Sequence, residues 1–219
     1  MTTHFSIEIG RPAGDGWVQL PVESPKSSGL FSALRGQDRD LGRWSASLAG
    51  QRLGPGADRQ RLDAYARMLT GLAAGGRKRG LQLGYAWLPD GADSPAANVD
   101  VSVVRTSRER PVLTLESLEE QFASRDAGTE RLDVSRAELP AGPAVRLLRQ
   151  WRGSGSPAAR VVSVTYVTRP PEIRNAVVYS MFWAPADADA DAGDGNGADA
   201  ELTEYADRLA ATLRILTAP

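Results

Sequence analysis

The sequence has no cysteine and a single histidine, His4, and each shortage excludes a class of chemistry. Without cysteine, the chain forms no disulfide, no thiolate nucleophile and no thiolate metal site. A catalytic triad built on histidine would depend on His4 as its base, and a metal site with several histidines is impossible. We therefore expect no metal and no cofactor.

An excess of either charge is also missing, as are long apolar runs. The 26 basic and 27 acidic residues give a formal net charge of −1 and are interspersed, whereas nucleic-acid binders usually show a basic excess. The longest apolar-rich run, residues 176–184, is shorter than the ~20 residues of a spanning helix. Residues 1–8 lack the basic start and apolar stretch of a secretory signal. The sequence therefore predicts a protein that neither binds nucleic acid nor inserts into a membrane. It also predicts a cytoplasmic location.

Alternating apolar residues predict most of the strands. Residues 5–9 and 17–21 are separated by turn formers and indicate an N-terminal hairpin. Two further strands are predicted at residues 81–87 and 99–103. Short loops separate three more strand-like runs, at residues 144–151, 160–168 and 175–184, which favours an antiparallel meander. The third of these runs is apolar on both faces, as in a central strand that is covered on both sides.

Helical periodicity is clearest in three segments. Residues 58–74 carry an apolar face, with Asp58 as the predicted N-cap and Gly75 and Gly76 as the predicted stop. Residues 115–122 are predicted as a short helix capped by Thr114. Residues 202–216 are predicted as a closing helix whose apolar stripe lies on the sheet.

These elements predict an α+β fold with a mostly antiparallel sheet of about six to seven strands and helices packed on it. We expect residues 1–219 to form a single domain. Its predicted irregularities are a helical N-terminal insertion around residues 24–76 and a flexible acidic loop at residues 186–200. That loop consists mainly of Ala, Asp and Gly, which bury too little apolar surface to become ordered.

The motifs that resemble reactive sites have simpler explanations. The glycines of residues 71–76 resemble a phosphate loop, but they end a predicted helix instead of opening one, and Lys78 stands where Ser or Thr should bind magnesium. Acidic residues offer another kind of site, because a cleft hydrolase needs two carboxylates roughly 5–10 Å apart. The candidates are Glu116, Glu119, Glu120, Asp133 and Glu138. Charged outer faces of helices and strands are the usual explanation for such residues.

Phe31, Leu34 and Trp44 lie in a weakly periodic region. They are predicted either to belong to the core or to form an exposed apolar patch of the kind that marks an interface. In the second interpretation they are candidate partner-binding residues.

The C-terminal two thirds of the chain resemble a known group of proteins. Four segments carry the resemblance: Ala137–Arg146 with its Leu-Pro-Ala-Gly strand start, Val162–Val167, Val177–Phe182 and Ala210–Arg214. They are similar to the PsbP/DcrB/LpqN-like superfamily of small α/β/α sandwiches. The resemblance implies a binding scaffold, since such proteins act as assembly factors, lipoproteins and effector chaperones of secretion systems. It transfers no catalytic residue, and the lipoprotein cysteine of many relatives is missing.

Three functions follow as hypotheses. The first is a non-enzymatic adaptor or chaperone that binds another protein, in secretion or assembly. The second is a small hydrolase or transferase that uses carboxylates in a cleft. The third is a homo-oligomeric structural protein.

Overall fold

The computed structural model describes residues 5–22, 30–89, 94–107, 112–124, 128–152, 160–185 and 196–217, without the side chains of residues 30–39 and 196–198. Within these ranges the chain forms four helices and nine strands. In chain order they are β1 (Phe5–Glu8), β2 (Trp17–Gln19), α1 (Leu30–Leu53), α2 (Arg59–Lys78), β3 (Leu83–Trp87), β4 (Ala97–Val104), α3 (Leu115–Phe122), β5 (Thr129–Leu139), β6 (Gly142–Arg152), β7 (Arg160–Thr168), β8 (Ala176–Trp183), α4 (Asn196–Ala210) and β9 (Arg214–Thr217).

Seven of the strands form one antiparallel sheet in the order β2-β3-β4-β8-β7-β6-β5, and β1 pairs with β9 in a separate ribbon. The last four strands of the large sheet follow one another along the chain from β8 back to β5, joined by short connections. β8 lies at the centre, between β4 and β7, and most of its residues are buried. The predicted α+β class, the number of strands, the meander and the central position of residues 176–183 are therefore confirmed.

Side-chain alternation gives the sheet two different faces. On one, which we call the α4 face, Val99, Val164 and Tyr179 pack with Ala206 and Leu209 of α4 in the largest apolar cluster. Because successive strand residues point to opposite faces, their neighbours along β4, β7 and β8 point the other way. We call that other side the groove face.

The groove face is covered in two places by separate helical units. At the β2–β3 end, α1 and α2 pack on the sheet through Ala49, Tyr65 and Leu69, which contact Val18 and Ala86. Over β6, β7 and β8, α3 inserts its fully buried Leu118 against a patch of sheet residues. Those sheet residues are Val145, Leu147, Val167, Ala176 and Val178. The parts of β4, β7 and β8 around Asp100, Ser163 and Ser180 lie outside both of these apolar clusters.

The termini of the described chain correct two predictions. The N-terminal hairpin is wrong, because β1 pairs with β9, with Ile7 opposite Ile215, and β2 pairs instead with β3. The predicted helix over residues 202–216 ends at Ala210. Residues Arg214–Thr217 instead form β9, which pairs with β1. The alternation of residues 5–9 predicts the strand correctly, but its partner strand lies at the other end of the described chain.

Two boundaries inside the chain also differ from the prediction. Helix α2 begins after Asp58, whose side chain accepts a hydrogen bond from the Arg61 N–H as predicted, yet it runs through Gly75 and Gly76 to Lys78. Residues 186–195 of the predicted acidic loop lie outside the described residues, and residues 196–200 form the first turns of α4. The division into domains stays a prediction. None of the helices in the described ranges combines the length and apolarity that a bilayer crossing requires.

Candidate functional site

A groove of about 600 Å³ runs along the groove face between α2 and α3. This volume falls in the range of roughly 300–1,000 Å³ that is typical of ligand pockets. Its floor consists of β4, β8, β7 and β6, and Arg79, directly after α2, contributes to one wall. The lining residues are Arg79, Leu81, Asp100, Ser102, Thr129, Arg149, Trp151, Ser163, Thr165, Ser180 and Phe182.

The strand register arranges the floor in rows across the sheet. Asp100 of β4 stands opposite Ser180 of β8, which in turn stands opposite Thr165 of β7. In the next row, Phe182 of β8 stands opposite Ser163 of β7. The floor is thus polar along its first row and mixed along its second, at the centre of a sheet whose opposite face is apolar.

Two hydroxyl groups of the first row are hydrogen-bonded to each other. The Thr165 and Ser180 hydroxyl oxygens lie 3.0 Å apart, and either of them can be the donor. Because a hydroxyl group donates one hydrogen bond and accepts others, the pair keeps capacity for a ligand. The pair is uncharged and is fixed to two neighbouring strands, so its position is rigid.

An ion pair closes the end of the groove nearest to α2. Arg79 follows the last residue of α2, and its Nη2 lies 2.9 Å from Oδ2 of Asp100. The Arg79 side chain is 56% exposed, whereas that of Asp100 is 15% exposed. Burial raises the pKa of Asp100, and the positive charge of Arg79 opposes that rise. The pair therefore combines a solvated cation with a mostly buried anion on the groove floor.

The other wall is fixed by Arg149 of β6. Its guanidinium donates hydrogen bonds to the carbonyl oxygens of Phe122 and Ser124, at 2.6 Å and 3.0 Å. These carbonyls lie at the C-terminal end of α3, where a cation also complements the helix dipole. Arg149 thereby joins α3 to the sheet beside Trp151.

The residues predicted as partner-binding lie elsewhere or outside the description. Phe31 and Leu34 belong to α1, but their side chains are outside the described residues. Trp44, also on α1, is half-buried and packs against the apolar cluster beneath α1 and α2. A role for these three residues in partner binding stays a prediction.

The predicted carboxylates do not line the groove. Glu116 and Glu119 of α3 form ion pairs with Arg136 of β5, and Asp133 pairs with Arg131 on the same strand. Glu120 and Glu138 are exposed. Asp100 is the one carboxylate among the described residues that line the groove. Within the described ranges, no three His, Cys, Asp or Glu side chains lie close enough together to hold a metal ion.

The groove residues were missed at the sequence level although a signal for them exists. Polar residues alternate with valines in two of the strands. In β4 the polar residues are Asp100 and Ser102, between Val99, Val101 and Val103. In β7 they are Ser163 and Thr165, which alternate with Val162 and Val164. Polar residues at alternate strand positions are typical of a solvated sheet face. What the sequence does not show is that helices cover that face in two places and turn it into a groove.

Comparison with known proteins gives a structural similarity and no sequence match. No family model and no curated protein matches the sequence. Among solved structures, the chain is similar to LpqN, involved in cell envelope biogenesis of Mycobacterium tuberculosis. The two share 12% sequence identity at a TM-score of 0.48, over 98% of this chain and 85% of LpqN. Membership of the PsbP/DcrB/LpqN-like superfamily stays a prediction.

Proposed function

We propose that this chain is a non-enzymatic binding protein, an adaptor or chaperone, that holds an extended segment of a partner protein in its groove. The observation that carries the proposal is the polar floor of the groove, which the described residues line with guanidinium, hydroxyl and aromatic groups. A cytoplasmic location belongs to the same proposal.

The composition of the groove suits protein recognition. Arg, Trp and Phe are enriched at interfaces, and Arg and Trp in particular provide much of the binding energy there. In this groove, Arg79, Trp151 and Phe182 supply those side-chain types. The floor residues stand on paired strands, so binding requires little ordering of the site and costs correspondingly less entropy.

The hydrolase alternative has less support from the same groups. Glycosidase-type chemistry needs two carboxylates. Among the described residues that line the groove, Asp100 is the one carboxylate, and it forms an ion pair with Arg79. A nucleophilic hydroxyl needs an adjacent base, but the Thr165 and Ser180 hydroxyls contact each other. The homo-oligomer alternative stays a prediction, which the mass of the chain in solution would test.

Site-specific photocrosslinking tests the proposed function. A photoreactive amino acid at Ser102, in the groove, is compared with one at Asp63, on the exposed side of α2. We expect one defined partner protein to be crosslinked from position 102 and not from position 63. Mass spectrometry of the adduct then identifies the partner and the segment that is attached.

Binding of the purified partner provides the second step. A bulky Ser102→Trp substitution should fill the groove and weaken binding at least tenfold, a loss of about 1.4 kcal/mol. Asp63→Trp is the matched control and should bind as the unmodified chain does. Equal binding by both variants, with both shown to be folded by circular dichroism, would place the partner elsewhere and overturn the proposed function.

A further inference from the structure

We infer that the groove selects an uncharged segment whose amide group contacts Arg79 and Asp100 together, and that it discriminates against charged residues at that position. The inference rests on the proposed function and specifies the chemistry of its ligand.

The two charges at the first row of the groove floor, those of Arg79 and Asp100, balance each other. Arg79 and Asp100 carry opposite charges 2.9 Å apart, and Ser180 and Thr165 beside them are neutral. A ligand carboxylate that approached Arg79 would also meet Asp100, and a ligand ammonium that approached Asp100 would meet Arg79. Because attraction and repulsion act over similar distances, a charged group gains little here and loses its hydration.

An amide group fits the same pair without that conflict. Its N–H can donate to the Asp100 carboxylate, and its carbonyl oxygen can accept from the Arg79 guanidinium. Both partners have the necessary capacity, because a carboxylate offers two acceptor oxygens and a guanidinium five N–H donors, while the direct bond joins Nη2 to Oδ2. Glutamine and asparagine side chains provide such a group.

The surroundings of Asp100 favour an additional donor. The carboxylate is mostly buried, and burial is the largest influence on its pKa, exceeding the effect of Arg79. A hydrogen bond from a ligand N–H would therefore stabilise the ionised carboxylate in a place where water reaches it poorly. The neighbouring Ser180 and Thr165 hydroxyls continue the row and can bond to the next peptide unit.

Three short peptides test this inference. They are acetylated, amidated and identical in their Ser, Thr and Phe residues, and differ only at one central position, which is Gln, Glu or Lys. Binding is followed by the ¹⁵N–¹H signal of the Trp151 indole, assigned with a Trp151→Phe variant. We expect the unmodified chain to bind the Gln peptide roughly tenfold more tightly than the other two.

Removing one charge of the pair should switch the preference. Asp100→Asn leaves Arg79 without its counterion, so the Glu peptide should become the strongest ligand. Arg79→Gln leaves the carboxylate alone, so the Lys peptide should become the strongest. The two variants are independent tests, and either one suffices if the other does not fold.

The outcomes separate the inference from the proposed function. Peptide binding without a Gln preference, or without a switch in the variants, overturns the inference and leaves the partner found by crosslinking unaffected. A preference of the unmodified chain for the Glu peptide likewise overturns it, in favour of a groove that attracts anions. Absence of binding by all three peptides also counts against it, whereas the proposed function is decided by the crosslinking result and by partner binding of the Ser102→Trp and Asp63→Trp variants.

Discussion

At the residue scale, Asp207 of α4 is the central contact between that helix and the sheet. Its carboxylate accepts two hydrogen bonds from Arg146 of β6, both at 2.9 Å, and one from the Tyr166 hydroxyl of β7 at 2.9 Å. The Arg146 side chain is only 20% exposed, so it depends on this carboxylate for much of its stabilisation. Such bidentate pairs are among the stronger hydrogen-bonded contacts in proteins.

We expect Asp207→Ala to lower the free energy of unfolding by about 2–3 kcal/mol, because it leaves the largely buried Arg146 guanidinium without a carboxylate. Tyr166→Phe, which removes one of the three hydrogen bonds, should cost only about 1 kcal/mol. Urea unfolding followed by circular dichroism measures both values. Equal losses in the two variants would contradict the central role of Arg146 in this contact.

Contacts of this kind lie beyond what the sequence can predict. Arg146 and Asp207 are 61 residues apart, and no spacing or periodicity joins them. Only the packing of α4 across β6 and β7 brings them together. The groove shows the same limit, since Asp100 is recognisable as a polar position on a strand but its ion pair with Arg79 depends on where α2 ends. The sequence therefore predicts which residues are polar and which face of a strand they occupy. It does not predict which residues form ion pairs or hydrogen bonds with one another.

At the element scale, the interior of α2 contains glycines with opposite surroundings. A Cβ atom at Gly76 would lie 2.6 Å from Cγ1 of Val22, closer than real Cβ contacts allow. A Cβ atom at Gly71, on the same helix, would meet nothing within 4 Å. Gly76 therefore permits close packing of α2 against Val22, which explains a glycine that resembled a helix stop in the sequence.

The two positions should respond in opposite directions to alanine. Gly71→Ala should stabilise the protein by about 0.5–1 kcal/mol, because alanine favours the helix over glycine. Gly76→Ala should destabilise it by about 1–3 kcal/mol, since the overpacking outweighs the same gain. Thermal unfolding of the two variants gives the comparison. Stabilisation by both substitutions would show that Val22 can move aside.

The helix boundaries show which local signals were sufficient. Asp58 and Thr114 cap α2 and α3 as predicted, because an N-cap side chain bonds to backbone N–H groups two or three residues away. The end of α4 was missed, because Leu213 and Leu216 continue the apolar spacing beyond Ala210. Pairing with β1 fixes residues 214–217 as a strand, and that interaction is not local.

At the scale of the whole molecule, the antiparallel meander was predictable because its loops are short. The pairings β4–β8 and β1–β9 were not, because long stretches of chain separate their members. The placement of helices on both faces likewise follows from the three-dimensional packing of three apolar clusters. The existence of a sheet with covering helices was thus open to prediction, and the groove between the helices was not.

The buried tyrosines on the α4 face predict that the stability of the whole fold falls at alkaline pH. Burial is the main cause that raises the pKa of Tyr166 from 10.0 to about 12. Burial also raises the pKa of Tyr179, whose hydroxyl donates a hydrogen bond to the carbonyl oxygen of Ala206. In the unfolded chain these groups ionise near their ordinary pKa of 10.0. Above that pH, the unfolded state binds fewer protons than the folded state, so stability falls as pH rises.

We therefore expect the free energy of unfolding to be insensitive to these tyrosines below their ordinary pKa of 10.0 and to decrease steadily between that value and about 12. Urea unfolding at a series of pH values across this window measures the decrease. Tyr166→Phe should make the decrease shallower, because phenylalanine has no proton to lose and the share of Tyr166 disappears. An equally steep decrease in this variant would mean that the folded protein ionises Tyr166 as readily as the unfolded chain does, and that the packing of α4 on the sheet leaves its hydroxyl in water.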